Sequence, residues 1–492
     1  MNRRMVLYTV GLIILLEGAL LLLPLLVALL YGNDCTVAIL LSIAVAAVLG
    51  GGAVLLARPK SKRIYAREGF AITALAWLSL SAVGALPFFL SGQIPNFADA
   101  FFETVSGFTT TGASILDPAS LNTMEKGLLF WRSFTHWIGG MGVLVLLTAF
   151  LPGLSERSIH ILRAEMPGPT MGKFVPKLRD TAKLLYLIYF VMTAVMFCIL
   201  MISGLPAFDS AIFTFGAAGT GGFTINSAGL SALTAAQQWI ITVFMLLFGV
   251  NFNLYYLMLI RRFRSTLRST ELWAYFGIFA AATALVCIDL TTVYGSFSEI
   301  LRHSAFQVSS IMTTTGYSTA NFDLWPNFSK AILFILMFIG GCAGSTAGGL
   351  KVSRLVLLIK NCHAQFRRTL HPRSVNVLRF EGKKVEEEVQ SGVVMYFLFY
   401  IFCIFGIFFF VSLDGYDLTT SLSASVTCFN NVGPGLGAVG PAANFSLFSD
   451  AATLLLSFAM LLGRLEIWPI LILLYPATWR HRGKSAIGKE TK

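Results

Sequence analysis

Four short glycine-containing segments recur along the chain and align without gaps: FTTTGA at 108–113, AGTGGF at 218–223, MTTTGY at 312–317 and FNNVGP at 429–434. Their reference glycines are Gly112, Gly222, Gly316 and Gly433, spaced 110, 94 and 117 residues apart. Self-similarity at a fixed period defines a repeat architecture, here with a unit of about a hundred residues. Each unit reads as an apolar run, a short half-apolar segment, the glycine loop and a second apolar run. The short segments (roughly 97–108, 207–218, 300–312 and 417–429) hold 12 or 13 residues. A helix of that length reaches about 20 Å, well under the ~30 Å of a hydrocarbon layer. They are therefore expected to enter the membrane and return on the same side. Thirteen residues before the glycines stand Asp99, Asp209, His303 and Thr420, polar residues suited to starting a helix.

The apolar runs carry the membrane reading. Residues 37–57 contain no charge, and 185–208, 236–260 and 391–413 read similarly; about 20 such residues cross a bilayer as a helix. Charged residues are 12% of the chain, about half the usual share in soluble domains. Two further runs, 5–31 and 36–57, precede the first unit. The expected fold is all-α and integral to the membrane: ten transmembrane helices, two leading ones plus four helix–pore-helix–loop–helix units. The divisions are 1–60, 61–160, 161–268, 269–384 and 385–492. An even number of crossings per unit makes the units parallel, so they can surround a pseudo-four-fold pore. Inverted repeats, frequent in secondary transporters, require an odd number.

The net charge of +12 is placed as a membrane protein would place it, not as a nucleic-acid binder. Of 36 Lys and Arg, 31 fall in six clusters at 3–4, 58–67, 157–183, 261–268, 351–384 and 480–492. Pairs of apolar spans separate consecutive clusters, so all six can share the cytoplasmic face, with both termini there. The opposite segments hold twelve acids, Glu103 among them, against Lys126, Arg132, Arg302 and Lys330. A negative outer vestibule would concentrate cations. Seven scattered cysteines form no CxxC pair and read as packing residues. The run after Arg3 and Arg4 is long and lacks a cleavage site, as expected of an uncleaved first helix.

Non-helical backbone at membrane depth survives where it lines water or protein, and four loops on one axis would present rings of carbonyl oxygens to a dehydrated cation. Glycine permits the required dihedrals, threonines 109–111, 220 and 313–315 add hydroxyls, and each short helix aims its negative end at the axis. Residues 340–350, GGCAGSTAGGL, interrupt the second run of unit three with five glycines. They read either as tight packing or as a gate, with Gly341, Gly344, Ser345, Thr346, Gly348 and Gly349 as its residues. Ser345 lacks the spacing of a nucleophile elbow, Lys351 completes no P-loop, and no enzyme is expected. Arg464 lies inside the apolar run 451–475; an intramembrane charge marks a functional site, here a barrier below the loops. Glu466 diverges from it on a helix. His136 and Glu17 receive no role.

These residues make the chain resemble the Trk/Ktr/HKT superfamily of potassium transporters, in particular its TrkH-like membrane subunits, over all four units and the two leading helices. The resemblance implies a potassium filter formed by Thr110, Thr111 and Gly112; Thr220, Gly221 and Gly222; Thr314, Thr315 and Gly316; and Asn431, Val432 and Gly433. Sodium-favouring plant members have serine where this chain has Gly112, which implies potassium as the ion. It also implies a gating role for the 340–350 loop and Arg464, and a homodimer with one pore per protomer. A cytosolic nucleotide-binding, TrkA-like subunit would dock on the basic inner loops, which alternatively meet anionic lipid; no nucleotide site is expected in this chain. The implied location is the plasma membrane of a prokaryotic cell, the inner one if Gram-negative. The alternative activity is proton- or sodium-coupled symport.

Overall fold

The computed structural model describes residues 2–59, 65–142, 178–226, 229–373 and 377–479. The basic cluster at 480–492, most of that at 157–183, and the unit boundaries at 60/61 and 160/161 lie outside them.

The leading segment forms α1 (Arg3–Leu20), α2 (Leu22–Tyr31) and α3 (Thr36–Leu56). Close approach of α1 and α3 is set by glycine: a Cβ on Gly11 would sit 2.8 Å from that of Ala53, and one on Gly50 2.8 Å from the Gly11 carbonyl. Unit one continues with α4 (Ala66–Gly84), α5 (Leu86–Leu90), the short α6 (Phe97–Phe108), α7 (Pro118–Thr123) and α8 (Lys126–Gly140). Unit two contains α9 (Leu178–Ile202), α10 (Ala207–Gly219), α11 (Ala235–Phe248), α12 (Phe252–Leu259) and α13 (Phe263–Leu267). Unit three contains α14 (Thr270–Asp289), α15 (Phe297–Met312), α16 (Asn327–Ile339), α17 (Val352–Leu370) and a hairpin of β1 (Arg379–Phe380) and β2 (Lys383–Lys384). Unit four contains α18 (Glu387–Val411), α19 (Leu418–Asn430), α20 (Asp450–Arg464) and α21 (Trp468–Leu474).

Among the described residues six helices are long and apolar enough to cross a membrane, or seven if one bent pair counts as a span. The sequence reading has ten crossings. The difference falls on the second helix of each unit. Helices α8, α11, α16 and α20 hold 15, 14, 13 and 15 residues, about 20–23 Å at 1.5 Å per residue. The run at 236–260 is not one rod: it bends by 88° between α11 and α12, where Asn251 caps the new helix through Asn253 N at 3.0 Å. The last run breaks after Arg464, where Glu466 and Ile467 adopt φ of 55° and 68°. Arg464 is thus the final residue of α20 rather than mid-helix. Unit three breaks at the glycine-rich loop as expected.

The apolar exterior suits lipid. Leu30, Ile202, Ile288, Phe402 and Leu413 are all exposed, whereas Trp77, Trp131, Tyr189 and Tyr275 are buried. The short helices match their expected ranges, except that α15 starts three residues early. Their caps differ. Asn96, Pro206, Ser296 and Asp417 occupy the N-cap positions. Asp99 and Asp209 lie in the first turn, where an acid complements the helix dipole. His303 is mid-helix and bonds Thr319 at 2.9 Å. Thr420 instead accepts Ala438 N at 3.0 Å through its hydroxyl.

Candidate functional site

Each short helix ends in the same way. The amide two residues before the reference glycine bonds the carbonyl three back: Thr110 to Gly107, Thr220 to Ala217, Thr314 to Ile311, Asn431 to Cys428. The next amide reaches five back: Thr111 to Ser106, Gly221 to Gly216, Thr315 to Ser310, Val432 to Thr427, at 2.8–3.0 Å. This pair of bonds is a Schellman closure, whose left-handed residue is usually glycine. Here it is Thr110, Thr220, Thr314 and Asn431, with φ of 56–58°. For the three threonines, β-branched residues, a positive φ is a genuine outlier; a left-handed non-glycine residue costs on the order of 1–3 kcal/mol, and such residues cluster at functional sites. The reference glycines follow at φ of 79°, 75°, 80° and 99°.

With their amides turned back into the helix ends, the loops leave their carbonyls over. Among the described residues none of the carbonyl oxygens of 110–112, 220–222, 314–316 and 431–433 accepts a hydrogen bond. The loops also meet in cyclic order. A Cβ on Gly112 would overlap the Gly221 carbonyl oxygen, one on Gly222 that of Thr315, and one on Gly316 that of Val432. One on Gly433 would lie 2.8 Å from that of Thr111, which closes the ring. The four reference glycines all line a cavity of about 400 Å³.

Side chains brace the ring unequally. In loops one and three, hydroxyl pairs Thr109–Thr111 and Thr313–Thr315 lie 2.8 Å apart. In loop four Asn431 replaces threonine; its amide donates to Thr111 Oγ1 at 2.9 Å and to the Met460 carbonyl at 3.0 Å. Behind loop one, Arg132 pairs with Glu103, stacks 3.5 Å from the Phe223 ring and donates to the Thr224 carbonyl at 2.9 Å. Glu103 in turn accepts Ile115 N at 2.9 Å. Both residues are buried, so neither contributes to the outer charge as the sequence reading had it. Removing one partner of such a pair strands a buried charge.

The glycine-rich loop lies against the base of this ring. Gly348 N donates to Thr314 Oγ1 at 2.7 Å, and a Cβ on Gly348 would lie 2.5 Å from the Asn430 carbonyl. The loop also docks into the break between α11 and α12: Cys342 N to Gly249 O at 2.9 Å, Phe252 N to Gly344 O at 3.0 Å, Thr346 Oγ1 to Phe248 O at 3.3 Å. Gly340, Gly344 and Gly349 have φ of 71–76°, and a Cβ on Gly341 would meet that of Ala347 at 2.7 Å. Ser345 bonds its own loop through the Cys342 carbonyl at 2.6 Å. Arg464 fastens the loop from the far side, donating to Thr346 O at 2.8 Å and to Gly139 and Gly140 O at 2.5 and 2.8 Å. Glu466 pairs with Arg354 at 2.6 and 3.0 Å, not with Arg464.

Two anchors were not signalled locally. Glu271 accepts Ala343 N at 2.7 Å, and Glu381, at the tip of the β hairpin, accepts Glu271 N at 3.1 Å and Ser269 Oγ at 3.0 Å. Their sequence separations of 72 and 110 residues hide them from any local pattern.

Four short helices thus end alike, in loops whose carbonyls are left unpaired, within a helical chain that carries several long apolar helices. Residues 36–479 match the TrkH family, described as cation transport protein, and the chain belongs to that family. It is 35% identical to the Trk system potassium uptake protein TrkH of Salmonella typhimurium over 98% of this chain and all of that one. It is 32% identical to the Trk system potassium uptake protein TrkG of Escherichia coli, over 97% and 99%. The crystal structure of the potassium transporter TrkH from Vibrio parahaemolyticus superposes with a TM-score of 0.87 at 32% identity, covering 98% of this chain and all of that chain.

Proposed function

We propose that this protein takes up potassium across the cytoplasmic membrane through the ring formed by its four loops. One observation carries the reading: four strained left-handed residues, at equivalent positions, hold unpaired carbonyls in a closed cyclic order. Such carbonyls replace the water shell of an entering ion. The short helices direct their negative ends to the same place. The units are parallel, giving ten crossings around a pseudo-four-fold axis, with the divisions given above and both termini inside. Potassium as the ion is supported by Gly112 in the first loop and by the potassium uptake proteins to which the chain is similar.

Below the ring the 340–350 loop is the gate, and Arg464 is the charge that holds it closed. The protein works as a homodimer under a cytosolic, TrkA-like nucleotide-binding subunit. That subunit docks on basic α17 and the hairpin, and Glu381 and Glu271 connect this surface to Ala343 in the loop. Coupled symport calls for a titratable carboxylate near the ion. Glu103 is the carboxylate behind loop one, and its ion pair with Arg132 favours a channel-like mechanism. Expression in a cell stripped of its own potassium uptake systems is expected to restore growth at low external potassium. No growth from a properly inserted chain co-expressed with its regulatory subunit would end this reading.

A further inference from the structure

Loop two breaks the pattern of loops one and three. Where they carry the hydroxyl pairs Thr109–Thr111 and Thr313–Thr315, loop two has Gly219 and Gly221. Nothing in that loop's own sequence braces Gly221, yet its carbonyl is the one against Gly112.

The space is filled from another unit. His136, on α8, is fully buried. A Cβ built on Gly221 would run into Nδ1, Cγ and Cε1 of its ring, and one on Gly219 into its backbone carbonyl. The ring lies tilted against Phe223, with centroids 4.2 Å apart and planes at 37°. Its Nδ1 bonds the Gly107 carbonyl at 2.8 Å. That carbonyl can only accept, so Nδ1 carries the proton in this contact. The imidazole therefore links the end of α6 to loop two at the joint between the first two loops.

We infer that His136 is a specificity-determining positioning residue that takes the place of the missing threonine pair and sets where the Gly221 carbonyl points. This rests on the ring being the ion filter. His136 touches no ion; it acts through Gly221. Gly219 and Gly221 are glycine because a side chain at either position would collide with this histidine. Gly221 is not at positive φ, and the three atoms nearest a Cβ there all belong to this imidazole.

The test is a reciprocal exchange in the purified full-length protein. Tracer rubidium uptake into proteoliposomes is competed with potassium or with sodium. His136→Ala is expected to lower potassium-over-sodium preference roughly three- to tenfold, the worth of one hydrogen bond. Gly221→Thr alone is expected to lose uptake through its clash with the ring. The double variant His136→Ala/Gly221→Thr is expected to recover uptake and return the preference to within about twofold of the parent. A merely structural histidine would not be rescued by a threonine on another unit. A double variant no more selective than His136→Ala, or a His136→Ala protein with the parent's preference, overturns the inference. A parent protein that does not distinguish the two ions would instead refute the filter reading itself.

Discussion

Gly112→Ser is expected to reduce potassium-over-sodium preference by at least about tenfold, equivalent to ~1.4 kcal/mol. Two effects act at that residue. Its φ of 79° costs an L-residue roughly 1–2 kcal/mol, and any Cβ there overlaps the Gly221 carbonyl oxygen. Relief of that overlap has to move a carbonyl of the ring itself, which changes cavity size and field together. The geometry also ranks the four positions. Gly112, Gly222 and Gly316 have no room for a Cβ, whereas Gly433 would bring one only to 2.8 Å from Thr111 O. Gly433→Ser should therefore be the mildest of the four serine variants in rubidium flux competed by sodium. Parent-like selectivity for Gly112→Ser would take the first loop out of the filter, and a Gly433 variant as severe as the others would overturn the ranking.

Deleting residues 342–348 should raise potassium flux severalfold, and Arg464→Ala should do so to a lesser degree. The deletion is sterically reasonable because a Cβ on Gly349 would already lie 2.9 Å from Gly340 Cα, so the cut ends are close. It removes the bond from Gly348 N to Thr314 and the anchor on Glu271. Arg464 opposes passage electrostatically: a cation about 5 Å away meets roughly 3 kcal/mol of repulsion at an effective dielectric of 20. Losing that charge while keeping the loop leaves a steric barrier, hence the smaller expected gain. Flux at or below the parent level in a folded deletion variant would rule out a gate here.

What was legible in the sequence was legible through periodicity. Apolar runs located the six long apolar helices, and the spacing of the glycines located the short helices at nearly their observed ranges. The Schellman closures were not legible, because threonine is a poor predictor of a left-handed helix end and only the assembled ring holds it there. The break at 249–251 and the turn at Glu466–Ile467 were hidden inside continuous apolar runs. Hydropathy counts residues and cannot see where tertiary contacts end a helix. Charges were misplaced for the same reason. Glu103 and Arg132 look like loop residues until the fold brings them together across 29 positions.

The bond from Asn431 to Thr111 spans 320 residues of chain. At a synthesis rate of about 5–20 residues per second, loop one emerges roughly 15–60 s before the residue that closes its ring. Throughout that interval the ring stays open on the side of Thr111, because loop two can reach Gly112 but loop four has not yet been made. The ion path is therefore expected to be the last part of this protein to mature during biogenesis. A cysteine placed at Thr111 should react with a membrane-permeant thiol reagent in ribosome-bound chains that stop before residue 418, and be protected once the fourth unit has entered. Protection in the shorter chains would mean that loop one sets without its partner.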